Sequence, residues 1–135
     1  MPKMKLEILK IKLCICKLKF DDPIPDWSIK GDFFSVTRTS DELSLVCSQS
    51  AVPANIQAEN DWRVLKVQGP LDFGLTGILS KLSTTLAEAG ISIFAISTFD
   101  TDYLLVREEK LAQAIESLKK KGYEIIDHCS YFNFI

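Results

Sequence analysis

An α+β fold is what this sequence predicts, and three observations carry it. Apolar residues recur at helical spacing in two stretches, from Leu75 to Ala89 and across 108–121. Runs rich in β formers flank both stretches. Gly90 and Gly122 stand where each helix must stop.

The second half of the chain gives the order. "WRVLKVQ" (62–68) reads as a strand. After a glycine-rich loop, Leu75, Ile78, Leu79, Leu82, Leu86 and Ala89 form the apolar stripe of a first helix. "ISIFAIST" (91–98) is apolar on both faces, which predicts a central strand covered on part of each side. "TDYLLV" (101–106) follows after a turn at Asp100. A second helix fits 108–121, with Leu111, Ile115 and Leu118 on one face. Lys119, Lys120 and Lys121 fall in its last turn, where cations suit the helix dipole. "YEIIDHC" makes a last strand. The order β-α-β-β-α-β is the ferredoxin-like split unit.

The first half repeats it in reduced form. With the chain slid by sixty residues, "FSVTRTSDELSLV" (34–46) lies over "FAISTFDTDYLLV" (94–106) without a gap. That offset sets Thr37 against Ser97 and Arg38 against Thr98. "PIPDWSIKG" holds two prolines, which limit any helix there to a turn or two. "CSQSAVPANIQAEND" (47–61) offers no long apolar stripe. Near the N-terminus the apolar phase switches twice, from Leu6/Ile8 to Leu9/Ile11/Leu13/Ile15 and then to Leu18/Phe20, which predicts two short strands or one bulged strand. The expected organisation is a degenerate first unit over 1–60 and a complete second unit over 61–135.

Composition bounds the function. The 135 residues are 47% hydrophobic and 25% charged, ordinary for a soluble globular chain. A net charge of −2 gives no global footprint for nucleic acid. Residues 1–20 carry six lysines and one glutamate, a local +5 against −7 for the rest. Lys10 and Lys12 alternate with Leu9, Ile11 and Leu13, the pattern of a strand with a wet, guarded face. These lysines also interrupt any signal-peptide core, and no run approaches a membrane span. The four cysteines (14, 16, 47 and 129) follow no secreted-framework spacing, so a cytoplasmic setting is expected.

Three of the six glycines sit in "GPLDFGLTG" (69–77), between a strand and a helix start. Unpaired N–H groups in a helix's first turn, with the dipole behind them, make an anion site. The loop lacks the G-x-x-x-x-G-K-[ST] pattern, and no lysine or arginine stands between Lys66 and Lys81. Asp72 instead puts a negative charge inside it. A zwitterion fits better than a nucleotide, its carboxylate on the amides and its ammonium near a carboxylate. Asp72 or Thr76 could equally serve as a helix cap.

"TGILSKLSTTLAEAGISIFAIS" (76–97) resembles the helix and second strand of an ACT domain, a small-molecule-binding regulatory module of amino-acid metabolism. The longer run through "TFDTDYLLV" resembles the two-unit ACT proteins related to aspartokinase regulatory domains and cytosolic arginine sensors. Relative to the family pattern, the acidic loop position falls on Gly74 and the proline on Thr76. The resemblance implies a free amino acid bound where ACT units meet. Backbone groups of Gly69, Leu71, Asp72, Phe73, Gly74, Leu75, Thr76 and Gly77 would hold its α-carboxylate. Ser97, Thr98 and Phe99 would meet its ammonium, and Asp72 or Asp102 would read a basic side chain such as that of arginine or lysine. Thr37 and Arg38 would line the same pocket or a decayed copy of it.

Other chemistries lack parts. An acylphosphatase-like enzyme needs an arginine in the first strand–helix loop, and there is none. His128 and Cys129 are neighbours on one expected strand and point to opposite faces, which prevents a direct pair. Cys14 and Cys16 share a strand face, yet zinc sites favour C-x₂₋₄-C, so core cysteines are expected. No aromatic-basic strand of the RNA-binding kind occurs. The expectation is thus a non-catalytic amino-acid sensor without cofactor or metal, with a homodimer and a regulated partner protein. The rival is an interaction module with a vestigial pocket, using the aromatic tail "YFNFI" (131–135) as an edge.

Overall fold

The computed structural model describes residues 4–68 and 77–128. Its strands are β1 (Lys5–Ile8), β2 (Leu13–Leu18), β3 (Ser35–Arg38), β4 (Leu43–Ser48), β5 (Ala58–Val67), β6 (Ile93–Ser97), β7 (Asp102–Arg107) and β8 (Glu124–Asp127). The helices are α1 (Ile78–Glu88) and α2 (Leu111–Lys120). The chain divides into two compact units. One joins Met1–Lys10 to Arg63–Ile135; the other is Ile11–Trp62.

In the first of these units the strand order is β8-β1-β5-β7-β6. This is the β-α-β-β-α-β arrangement with β1 added between the first and last strands. β1 runs antiparallel to β5, with Leu6 opposite Val67, and parallel to β8, with Leu6 opposite Ile125. Its two ladders explain why residues 5–8 belong with 63–135 and not with the residues that directly follow them. The phase switches near the N-terminus resolve into two strands, β1 and β2, and Lys10 and Lys12 lie in the link between them.

One face of this sheet packs against both helices. Leu6, Ile8, Leu65, Val67, Leu104 and Val106 meet Leu82 and Leu86 of α1 and Ala114 and Leu118 of α2, all buried. The stripes expected from helical spacing supply these contacts. α1 ends as its sequence requires: Gly90 adopts φ +75, open to glycine without strain, and Ile91 N–H returns to the Leu86 carbonyl at 2.9 Å. Gln113 of α2 donates to the Ala89 carbonyl at 3.0 Å, satisfying a helix-end acceptor that would otherwise face solvent. A 3-10 turn over Glu108–Lys110 precedes α2, so the α-helix starts at Leu111 and not at 108.

β6 differs from its expectation. Among the described residues it pairs with β7 alone, so it is an edge strand and not a central one. Its apolar run is correspondingly less covered: Phe94 and Ile96 are half-buried and Ala95 is exposed.

The Ile11–Trp62 unit has the strand order β3-β4-β2-β5, using the first half of β5. Apart from β1, this is the order of the other unit, with the second, third, first and fourth strands side by side. The helices are reduced to 3-10 turns at Asp26–Ile29 and Gln49–Ala51, as the prolines and the missing stripe predict. Its core is Cys14, Cys16, Leu43, Leu45 and Cys47, with Trp27, Val36 and Ile56 packed on it.

The repeat offset is 59 residues, not the sixty expected. In one hairpin Arg38 pairs with Leu43; in the other Ser97 pairs with Asp102, each across a four-residue connection. Core orientation agrees: Leu45 and Cys47 face their core as Leu104 and Val106 face theirs. The sixty-residue slide matched Leu45 to Leu105, but a one-residue slip in a strand turns every side chain to the opposite face. Arg38 therefore corresponds to Ser97, and Thr39 to Thr98.

Candidate functional site

The site is built at the ends of β5 and β6. Gly77 occupies the N-cap position of α1 with φ +80, and Lys81 N–H reaches its carbonyl at 2.9 Å. A residue with a side chain is strained at that φ. Glycine also places no side-chain capping oxygen of its own over the first N–H groups of the helix. Gly69, Leu71, Asp72, Phe73, Gly74, Leu75 and Thr76 lie outside the described residues, as do Cys129 and the "YFNFI" tail.

The β6–β7 turn stands at the end of β5. Thr98 N–H donates to the Thr101 carbonyl at 2.8 Å, and the Thr98 hydroxyl donates to the same carbonyl at 3.1 Å while accepting from Thr101 N–H at 3.3 Å. The Thr98 side chain is thereby engaged inside the turn. Thr101 is 6% exposed, and its hydroxyl donates to the Val67 carbonyl at the end of β5. That bond ties the turn to the strand end from which the glycine loop departs.

Ser97 and Asp102 are cross-strand partners at the mouth of the hairpin. Ser97 is exposed, Asp102 is half-buried, and the Asp102 carboxylate has no partner among the described residues. Phe99 projects from the turn, 84% exposed. Ser97, Thr98, Phe99 and Asp102 thus converge on one corner of this unit, with backbone groups and a carboxylate on offer.

Thr37 and Arg38 belong to the other unit. Thr37 is exposed opposite Ser44 on β3. The Arg38 guanidinium is committed locally, donating to the carbonyls of Phe20 and Asp22, the latter at 2.7 Å. It braces the lip of an open cleft of about 490 Å³ lined by Lys17, Phe20, Asp21, Asp22, Asp41 and Gln57. This cleft follows β2 as the glycine loop follows β5.

Thr101 is the residue that sequence spacing missed. At the offset of 59, Thr39-Ser-Asp41 lies over Thr98-Phe-Asp100, and the Thr39 hydroxyl accepts from the N–H groups of Asp41 and Glu42 at 3.1 Å each. The shared Thr-x-Asp turn is the signal that marks both hairpins.

His128 Nε2 lies 2.9 Å from a Glu7 carboxylate oxygen, and Gln68 donates to the other at 2.7 Å. These three link β1 with the ends of β5 and β8. No group of metal-ligating side chains was found among the described residues.

Strand order and helix packing together define a small module with the ferredoxin-like split unit. The ACT-domain profile matches residues 57–120, and a profile for an N-terminal domain matches residues 12–55. The chain belongs to the ACT-domain family. A crystal structure of a protein from Agrobacterium tumefaciens is 38% identical, covers 95% of this chain and 96% of its own, and superposes with a TM-score of 0.89. The bovine cytosolic arginine sensor for mTORC1 subunit 1 is 32% identical over 100 residues, 66% of this chain. This chain spans 30% of that sensor's length. The regulatory subunit of aspartate kinase from Thermus thermophilus shares the fold, with a TM-score of 0.57, 11% identity, and coverage of 82% of this chain and 92% of its own. No helix of the described residues is long and apolar enough to cross a membrane.

Proposed function

We propose that this protein is a non-catalytic sensor of a free amino acid, acting in the cytoplasm as a homodimer on a regulated partner protein. The ACT-domain match over 57–120 carries the reading, because it spans the helix start and hairpin that form the site. In this reading the amides of the 69–77 loop hold the α-carboxylate, and the end of β6 receives the ammonium through carbonyls. The Thr98 hydroxyl is already used within its turn, so the Ser97 hydroxyl and the local carbonyls are the better acceptors. Asp102 reads the ligand's side chain with Asp72, and two carboxylates favour a basic amino acid. The arginine-sensor relatives support that choice. The Ile11–Trp62 unit, close to the 1–60 expected from the sequence, acts as the degenerate unit, with Thr37 and Arg38 in a decayed copy of the site. The β6 edge, paired only with β7 among the described residues, is the proposed dimer seam.

The test is isothermal titration of the purified chain with arginine and lysine, repeated on Asp72→Asn and Asp102→Asn. Selective weakening of a basic ligand in either variant supports the assignment. Affinity unchanged in both removes these carboxylates from the site.

A further inference from the structure

Three of the four cysteines are gathered in the Ile11–Trp62 unit. Cys14 and Cys47 are directly opposed on the antiparallel strands β2 and β4. Opposed residues in such a ladder hold their Cα atoms about 4.5–5.5 Å apart, inside the range of roughly 4.4–6.8 Å that a disulfide spans. Cys16 lies on the same face, its Sγ 3.8 Å from that of Cys14.

The ladder is irregular at this point. Leu13 pairs with Trp62 and Ile15 with Glu59, so Asn60 and Asp61 together oppose Cys14 in a β-bulge. The Cys14 thiol donates to Asn60 Oδ1 at 3.0 Å. Asp61 has φ +65, the only positive φ on a non-glycine among the described residues. It is held there by Gln49, whose side-chain oxygen accepts from Asp61 N–H at 2.6 Å and whose amide donates to the Asp61 carboxylate at 3.0 Å. The bulge interrupts the β2–β5 ladder directly beside the buried Cys14 thiol.

We propose that Cys14 and Cys47 form a reversible cross-strand disulfide, with peroxide as the oxidant. The Cys47 thiolate attacks one peroxide oxygen; the O–O bond breaks, and the departing hydroxide takes a proton to leave as water. The resulting sulfenic acid is attacked by the Cys14 sulfur, forming the S–S bond and releasing a second water. Two thiols are oxidised, one peroxide is reduced, and atoms balance. Burial raises Cys14, whose thiol hydrogen is also engaged by Asn60, so Cys47 is the first nucleophile. Exchange with a small thiol reopens the bond.

The experiment treats the full chain carrying Cys129→Ser with hydrogen peroxide, quenches with an alkylating agent in denaturant, and maps peptides by mass. The expected result is a Cys14–Cys47 link with the loss of two hydrogens, restored by glutathione. It is absent in Cys14→Ala and Cys47→Ala, and still forms in Cys16→Ala. Thiols that remain reduced, or a link that joins Cys16 instead, overturn the proposal. If an alanine variant fails to fold, mapping of the chain with all three core cysteines decides alone.

Discussion

Thr101 shows how much one hydroxyl can organise. It is buried and donates to the Val67 carbonyl, joining the β6–β7 turn to the end of β5. Thr101→Val keeps the shape and leaves that carbonyl unpaired, at a cost of about 1–3 kcal/mol. Urea denaturation measures it; a midpoint unchanged from wild type would show the bond contributes nothing. Tyr123 provides a separate check on burial. Its phenol is raised above the usual value of 10.0 by desolvation, so the unfolded chain ionises first as pH climbs. This contribution to stability is complete below pH 10 and fades above it. Tyr123→Phe should flatten that alkaline loss in a series of melts, and an identical pH profile would contradict the assignment. Such effects are hard to read from sequence, since a threonine in a hairpin turn carries no mark of what lies across from it.

At the scale of elements, the helices were legible and the strand environments less so. Leu82, Leu86 and Leu118 announce their faces by spacing, and all are fully buried. Leu86→Ala or Leu118→Ala should cost about 2–5 kcal/mol, read from the same denaturation curves. For β6, an apolar run on both faces pointed to a central strand, yet it lies at an edge. Periodicity reports how apolar a strand is and cannot report which neighbours it has. The repeat offset failed for a related reason: chance identities at sixty residues outweighed the turn geometry that sets 59. The edge also bears on assembly. Ala95→Lys places a charge on exposed β6, which should block strand pairing and shift the proposed dimer to monomer in sedimentation velocity. An unaltered sedimentation coefficient would place the dimer contact elsewhere.

For the whole molecule, the chain carries the same strand order twice and has lost its helices once. Prolines in residues 23–25 and the lack of a stripe across 47–61 made the loss readable beforehand. The place of β1 was not readable, because nothing in "KLEI" says that it enters the ladder between β5 and β8. The hairpin that brings Ser97, Thr98, Phe99 and Asp102 together was legible. The bracing of the Phe20 and Asp22 carbonyls by Arg38 was not. The most direct test of amino-acid sensing is a thermal-shift screen of the intact protein against the twenty amino acids. A ligand at about 100 times its Kd adds about 2.7 kcal/mol, which for a chain of this size raises Tm by roughly 8–12 °C. One amino acid, basic in character, standing clear of the rest is the predicted result. A flat response to all twenty would contradict the account and leave the interaction module in its place.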